Sequence, residues 1–294
     1  MKKFIKNIKF LFRKKLKDEL NAIKSTQMDI SEIMDNLKYE LIDELNNIRV
    51  PKIMTVDETI DMLIKTNKSM ARFGDGELNL MLGESIPMQK ASPQLSNRLT
   101  EVFNATDNGF CVAILYALYH SKENLTDINK HFWRYQGVKF RRAMEDFIDY
   151  DKIYGAAEMT LAYSYFKNYN YQVYFDKMRQ IWDKKDIVIV CGKTVFDKIE
   201  TNIFDNAASI EYVHTPPIDA FEQYDNILNK CLQKDISKSF ILICGPTAKV
   251  LAYDLTKNNR RALDLGHIAK QYDWFKKNKR TDDEEGNREF YKPD

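Results

Sequence analysis

Short apolar runs that end at glycines constrain the fold of this chain most strongly. The runs are residues 187–191, 240–244 and 262–265, and the glycines that follow them are Gly192, Gly245 and Gly266. Runs of this length and composition are typical of strands buried on both faces. Helical segments separate the strands, for example at residues 250–257 before the last run. The alternation predicts an α/β protein with a Rossmann-like parallel sheet flanked by helices on both faces.

The remaining elements are expected to extend this pattern. Further strands are predicted at residues 70–73, 110–118 and 210–213, and a helix within residues 122–150. Another helix is predicted to begin after Thr55, because Glu58 three residues later completes a capping box. Open α/β sheets bind ligands beyond the carboxyl ends of their strands, so the site is expected where glycines follow strands.

The first fifty residues differ in composition from the rest, which divides the chain into residues 1–50 and 51–294. Up to Lys17 the chain carries eight Lys or Arg residues and no acidic residue, with interrupted apolar positions between them. These apolar positions are too few to span a bilayer. They predict a basic amphipathic helix on an anionic membrane surface, and a frayed basic tail is the alternative.

An apolar seam with alternating spacings of four and three residues follows. Its positions are Leu16, Leu20, Ile23, Gln27, Ile30, Met34, Leu37, Leu41 and Ile48, with Glu44 interrupting the pattern. This spacing is typical of a coiled coil and predicts a homo-oligomer formed through residues 16–48. The alternative is a long helix that packs on the rest of its own chain. Pro51 is expected to end the helix, because the residue before a proline is pushed out of the α region.

Charge and cysteine content exclude several classes of protein. The formal net charge is +2, which argues against a nucleic-acid-binding protein. The four cysteines are widely spaced and form no CxxC pair, which excludes the common zinc spacings and provides no disulfide framework. We therefore expect buried thiols and a reducing, cytoplasmic location.

The segment Arg72-Phe73-Gly74-Asp75-Gly76-Glu77 places two carboxylates two residues apart between glycines. On an extended segment both carboxylates would point the same way. A Mg²⁺ or Mn²⁺ ion favours one or two such carboxylates together with substrate phosphates. The planar guanidinium of the arginine could clamp a phosphate. The alternative is a solvated turn without a ligand.

A second candidate segment is Gly245-Pro246-Thr247, where a strand meets a helix. Free N–H groups at the helix N-terminus attract a phosphate, and Thr247 could add a hydroxyl donor. The alternative is a simple turn that Thr247 caps. The chain contains neither GxGxxG nor GxxxxGK[ST], so neither a dinucleotide-dependent dehydrogenase nor a P-loop NTPase is indicated.

Residues 72–77, 244–268 and 271–275 resemble the GT-D-type glycosyltransferases, which are bacterial enzymes of surface-glycan and glycoprotein-glycan assembly. The resemblance covers about residues 52–277. It implies a Rossmann-like fold, a nucleotide-sugar donor such as a UDP-sugar, and Mn²⁺ or Mg²⁺ as cofactor. The implied acceptor is a growing glycan, for example a lipid-linked one, which suits a protein peripheral to the inner face of the membrane.

The resemblance also implies roles for individual residues. The metal would be bound through Asp75 and Glu77, with His267 contributing to the metal and diphosphate site. Asp273 would be the carboxylate base that takes the acceptor's proton. Glu158 is the next candidate for that role because of its place in the middle segment, and not because of the resemblance.

The middle of the chain departs from the family. Leu161 stands where the family has an arginine, Ala156 where it has a polar residue, and Cys191 where it usually has a glutamate. The intact Asp75 and Glu77 favour an enzyme. Leu161 and Cys191 favour the alternative, in which the chain is a catalytically decayed scaffold in a glycan-assembly complex.

Overall fold

A computed structural model of the protein describes residues 2–41, 47–280 and 284–291. For residues 2–13, 38, 39, 284, 287 and 291 it describes the backbone alone. The chain divides into two compact units, Met1–Val50 and Pro51–Asp294.

Within residues 2–41 and 47–50, the described part of the first unit, there is one long helix, α1 (Lys2–Glu40). The prediction that this helix continues to Pro51 is wrong, because α1 ends at Glu40 and Ile48 lies in a non-helical segment. A proline sets the last position that a helix can reach, because it disfavours the α region for the residue before it, but it does not determine where the helix ends. The predicted basic face over residues 2–13 and the seam interruption at Glu44 lie outside the described side chains.

The apolar seam of α1 is exposed along its described length. Its apolar side chains from Leu16 to Leu37 are each about half exposed or more. Among the described helices, none combines the length and the apolar character needed to cross a bilayer.

The second unit is built on one eight-stranded parallel sheet with helices around it, so the predicted α/β class is confirmed. The strands are β1 (Lys52–Ile53), β2 (Ser69–Phe73), β3 (Phe110–Ile114), β4 (Ile153–Ala156), β5 (Asp186–Gly192), β6 (Ser209–Thr215), β7 (Ser239–Ile243) and β8 (Ala262–Asp264). Their order in the sheet is β1-β4-β3-β2-β8-β7-β5-β6. Every residue of β2 and β3 is buried, as expected for central strands covered on both faces.

Helices lie between the strands and after the last one. They are α2 (Val56–Lys65), α3 (Asp75–Met81), α4 (Pro93–Phe103), α5 (Asp127–Glu145), α6 (Ala162–Tyr165), α7 (Tyr171–Gln180), α8 (Tyr224–Leu232), α9 (Thr247–Lys257), α10 (Ile268–Lys276) and α11 (Glu284–Tyr291). Short 3₁₀-helices span Tyr116–Leu118, Ala157–Thr160 and Ala220–Gln223.

Local signals predicted some of these elements well and others poorly. The capping box at the start of α2 is confirmed: the Thr55 N–H donates to Glu58 Oε2 at 2.8 Å, and the Glu58 N–H donates to Thr55 Oγ1 at 3.2 Å. The strand predicted over residues 110–118 instead ends at Ile114, and a 3₁₀-helix follows it. All four cysteines are buried free thiols.

The sheet order determines where residues after the strands meet. β2 lies beside β8, and β7 lies on the other side of β8. All these strands run in the same direction, so the segments that follow them emerge at the same edge. The segment after β2, the last residue of β8 and the start of α9 therefore converge, although they are far apart in the sequence.

Candidate functional site

The two carboxylates that follow β2 lie on a helix. Asp75 and Glu77 occupy the first turn of α3, with Gly74 as the N-cap residue, so the predicted extended segment is wrong. Glu77 reaches back, and its Oε2 accepts the Gly74 N–H at 2.9 Å. This bond and the favourable position of acidic residues at a helix N-terminus account for the helical start. Residues two apart on a helix do not face the same way, so the two carboxylates diverge.

A buried ion pair joins β2 to β8. Nη2 of Arg72 donates to Asp264 Oδ1 at 3.0 Å, and the Arg72 backbone N–H donates to Asp264 Oδ2 at 3.1 Å. Nε of the same arginine donates to the Asp264 carbonyl oxygen at 2.9 Å. Arg72 is 9% exposed and Asp264 is 1% exposed. The arginine predicted to clamp a phosphate is thus held in place by Asp264, a carboxylate outside the predicted site residues.

Lys249 on α9 connects this ion pair to the carboxylate of Glu77 on α3. Its Nζ lies 2.8 Å from Glu77 Oε1 and 3.1 Å from Asp264 Oδ2. It also donates to the Gly245 carbonyl oxygen at 3.3 Å. Lys249 is 4% exposed. We call Arg72, Asp264, Lys249 and Glu77 the buried charge network.

The charges of the network favour the ionised forms of Asp264 and Lys249. Burial alone would raise the pKa of Asp264, but the positive charges of Arg72 and Lys249 hold that pKa below its ordinary value. Burial alone would lower the pKa of Lys249, but the carboxylates of Asp264 and Glu77 hold it above its ordinary value. Two cations and two carboxylates therefore balance in a largely buried site.

Gly266 makes room for this arrangement. Its φ is +45°, and a Cβ at this position would lie 2.1 Å from Nη2 of Arg72. A side chain would therefore have to displace the guanidinium from Asp264, and the left-handed backbone would strain any L-residue there. The sequence identified Gly266 as the end of a strand but not as the space that Arg72 fills.

The network lies in the wall of a cavity of about 1020 Å³ at the carboxyl edge of the sheet. Most of the predicted site residues line it, namely Arg72, Gly74, Asp75, Gly76, Glu77, Gly245, Pro246 and His267. Three neighbouring strands and the segments after them thus line one cavity, to which Gly245 and Gly266 contribute, whereas Gly192 lies outside it.

Comparison with known proteins identifies the family of this site. The family model described as Glycosyltransferase GT-D fold matches residues 70–285. The chain belongs to the GT-D glycosyltransferase family. The resemblance drawn from the sequence is confirmed.

Curated relatives of this GT-D chain come from streptococci. It is 30% identical over 226 residues to the probable glycosyl transferase Gly of Streptococcus gordonii, covering 76% of this chain and 33% of that protein. It is 28% identical over 237 residues to the glycosyltransferase GlyD of Streptococcus pneumoniae serotype 4, covering 78% of this chain and 28% of that protein. The chain thus spans a third or less of the length of these relatives.

Solved structures share the fold. A glycosyltransferase (DUF1792) from Streptococcus sanguinis matches with a TM-score of 0.74 at 30% identity, covering 78% of this chain and 86% of that one. A structure described as the highly conserved domain of unknown function 1792 with a distinct glycosyltransferase fold matches with a TM-score of 0.73 at 30% identity. This second match covers 78% of this chain and 82% of that one.

Two predicted site residues of the GT-D chain do not line the cavity. Asp273 on α10 is 2% exposed, and its Oδ1 accepts the N–H groups of Glu200 and Thr201 at 2.9 and 3.0 Å. Its Oδ2 lies 2.8 Å from Nζ of Lys277. Thr247 is fully buried at the start of α9, and its hydroxyl finds no hydrogen-bond partner among the described residues. The role of Asp273 as the base and that of Thr247 as a hydrogen-bond donor to a phosphate stay predictions, and this geometry does not favour them.

Glu158 does not reach the cavity as described either. Its two carboxylate oxygens accept the N–H groups of Tyr116 and Ala117, each at 2.9 Å, at the start of a 3₁₀-helix. Burial raises the pKa of Glu158, although these bonds lower it in part. The carboxylate holds the segment after β3 in place, and its role as the alternative base stays a prediction that this geometry does not favour.

Asp75 is the carboxylate that remains available. Among the described residues that line the cavity, it is the carboxylate without an ion pair. Burial raises the pKa of Asp75, and the negative charge of Glu77 raises it further. A partly desolvated carboxylate with a raised pKa suits general base chemistry.

The donor set does not fit a divalent cation as the network stands. Glu77 Oε2 is engaged by the Gly74 N–H and Oε1 by the Lys249 ammonium. Burial, together with Arg72, Lys270 and Lys249, lowers the pKa of His267 to about 4, which keeps the imidazole neutral. A neutral imidazole could act as a metal ligand, but within residues 2–41, 47–280 and 284–291 no three His, Cys, Asp or Glu side chains are grouped to hold a metal. The implied Mn²⁺ or Mg²⁺ site stays a prediction.

Proposed function

We propose that this chain transfers a sugar from a nucleoside-diphosphate sugar, with a UDP-sugar as the first candidate, to a hydroxyl group of a growing glycan. Membership of the GT-D family supports a glycosyltransferase. The observation that carries the proposal is the cavity whose wall holds Arg72 and Lys249 beside the Gly245 turn, at the edge where α/β sheets bind nucleotides. Its volume is at the upper end of the range for ligand pockets.

The positive side chains of the cavity would act on the leaving group. As the sugar departs, negative charge develops on the nucleoside diphosphate, and fixed cations in a partly desolvated site stabilise that charge. Arg72 is held rigidly by Asp264, so it costs little reorganisation when the charge appears. Lys249 contributes a second positive charge beside the Gly245 carbonyl group.

The acceptor hydroxyl must lose a proton as it attacks the sugar. In this proposal Asp75 takes that proton, because it lines the cavity outside the buried charge network and its pKa is raised. The acceptor is a glycan carried on a lipid, which suits a chain whose first seventeen residues are strongly basic.

The test is a screen of nucleotide sugars with the purified full chain. We expect release of a nucleoside diphosphate from at least one UDP-, GDP-, CDP- or ADP-sugar. Chromatography and mass spectrometry detect the released nucleotide. Arg72→Met is the control, and it should release far less product. If no donor is consumed and no nucleoside diphosphate binds, the chain is not a glycosyltransferase. If nucleotides bind without turnover, the decayed-scaffold alternative is favoured, and Leu161 in the cavity wall is a specific reason to consider it.

We also propose that α1 self-associates through its seam, limited to the seam positions from Leu16 to Leu37 within the helix. The seam keeps heptad spacing, and its apolar side chains are exposed on the helix. Burying such side chains against a second copy is the usual source of coiled-coil stability.

Ile30→Glu is expected to reduce the oligomer to a monomer, because it places a charge in the seam. Met28→Glu is the matched control: Met28 is 72% exposed and Ile30 is 56% exposed, but Met28 lies outside the seam. Multi-angle light scattering of the full chain measures the mass of each variant. Equal masses for the two variants would remove the seam as the interface.

A further inference from the structure

We propose that the ammonium group of Lys249 takes the place of a divalent cation beside Glu77, so that this chain binds the diphosphate of its donor without a metal ion. This inference rests on the proposed function, because it concerns the group that meets the donor's diphosphate. It differs from what the family resemblance implies for the Asp75-Gly76-Glu77 segment.

The surroundings of the ammonium group are those of a bound cation. Nζ of Lys249 contacts one carboxylate oxygen of Glu77, one of Asp264 and the carbonyl oxygen of Gly245, at 2.8, 3.1 and 3.3 Å. Carboxylate and carbonyl oxygens are also the ligands that hard divalent cations prefer. The lysine therefore already occupies the oxygen atoms that a metal beside Glu77 would need.

Displacing Lys249 would be costly. The side chain is 4% exposed and extends from α9, whose first turn is buried beside the sheet. Withdrawal of the ammonium would leave the fully enclosed Asp264 with Arg72 as its single counter-charge and Glu77 without any. A divalent ion placed beside an ammonium that stayed would be repelled by it at short range.

The ammonium can still reach a ligand in the cavity. Its longest bond is the one to the Gly245 carbonyl oxygen, and both Lys249 and Gly245 line the cavity. A phosphate oxygen of a bound nucleotide can replace that carbonyl oxygen, since an ammonium group can direct its N–H bonds freely. Lys249 would then link Glu77 and Asp264 to the diphosphate, as a bridging metal ion would.

The experiment compares nucleotide binding with and without metal. UDP, GDP, CDP and ADP are titrated calorimetrically into the wild-type full chain, once in EDTA and once in Mn²⁺. We expect the affinity for the best ligand to differ by less than about threefold between the two buffers. In Lys249→Met we expect binding in EDTA to weaken by about tenfold or more, and Mn²⁺ to restore it, because the carboxylates of Glu77 and Asp264 that contacted the ammonium become free to hold the ion.

Lys257→Met is the matched control, since this lysine lies on the same helix and its side chain is 54% exposed. It should bind nucleotides like the wild type in both buffers. Electron paramagnetic resonance gives an independent readout: wild-type protein should leave added Mn²⁺ free, whereas Lys249→Met should bind it. If Lys249→Met does not fold, the wild-type titrations and spectra still decide the question.

Two results of the nucleotide titrations would overturn the inference. Wild-type binding that requires Mn²⁺, or is raised about tenfold or more by it, overturns the metal-free role of Lys249 and leaves the proposed glycosyltransferase function in place. Absence of binding for every nucleotide in both buffers overturns the proposed function together with this inference.

Discussion

Replacing Asp264 with asparagine is expected to lower the free energy of unfolding by about 3 to 5 kcal/mol, the usual cost of removing one partner of a buried ion pair. The change leaves Arg72 and Lys249 as two enclosed cations with Glu77 as their single counter-charge. Asparagine has nearly the same shape as aspartate, so the loss reports the charge and not the packing. Urea unfolding followed by circular dichroism measures it.

Two control variants make this expectation specific. Asp197→Asn removes a charge from an exposed side chain and should change the free energy of unfolding by less than about 0.5 kcal/mol. Adding Lys249→Met to Asp264→Asn restores the balance of charge, so the double variant should recover part of the lost stability. A loss below about 1 kcal/mol in Asp264→Asn would mean that the network does not hold β2 and β8 together.

Replacing Asp75 with asparagine is expected to cut kcat by about a hundredfold or more, the scale of general base catalysis. Nucleoside-diphosphate affinity should barely change, because the proton is transferred only as the acceptor attacks. The measurement is steady-state turnover with the donor found in the screen, beside calorimetric titration of the corresponding nucleotide.

Asp273→Asn is the informative contrast. We expect it to keep near-normal kcat and to lose stability, because Oδ2 would no longer form the ion pair with Lys277. A hundredfold loss of kcat in Asp273→Asn with unchanged stability would place the base at Asp273 instead. A drop in nucleotide affinity in Asp75→Asn that appears only with Mn²⁺ would identify Asp75 as a metal ligand.

The fold class and the edge of the sheet that holds the site could be read from local signals. The runs before Gly192 and Gly245 are apolar throughout, and a strand buried on both faces carries its signature within five or six residues. The strands β1 and β4 escaped prediction because they are short, and β4 contains Gly155. A Cβ at Gly155 would approach Ala113 and Thr59 to 3.1 Å, a constraint that arises only from packing.

The buried charge network left weaker traces in the sequence. Asp264 stands alone in an apolar strand, and Lys249 lies among Ala248, Val250 and Leu251. A charged residue in such surroundings is costly to bury without a partner, so each of them is a sign of an ion pair. The sequence around Asp264 or Lys249 does not indicate which residue is the partner in the ion pair.

The sequence by itself determined the α/β class and the strands that end at glycines, and it predicted a candidate site after β2, β7 and β8. The tertiary structure decided which charges pair there. Arg72 and Asp264 are 192 positions apart and meet because β2 lies beside β8. It also turned Asp273 and Glu158 towards backbone N–H groups and left Asp75 at the cavity. Strand order brings distant side chains together, and local sequence signals do not encode it.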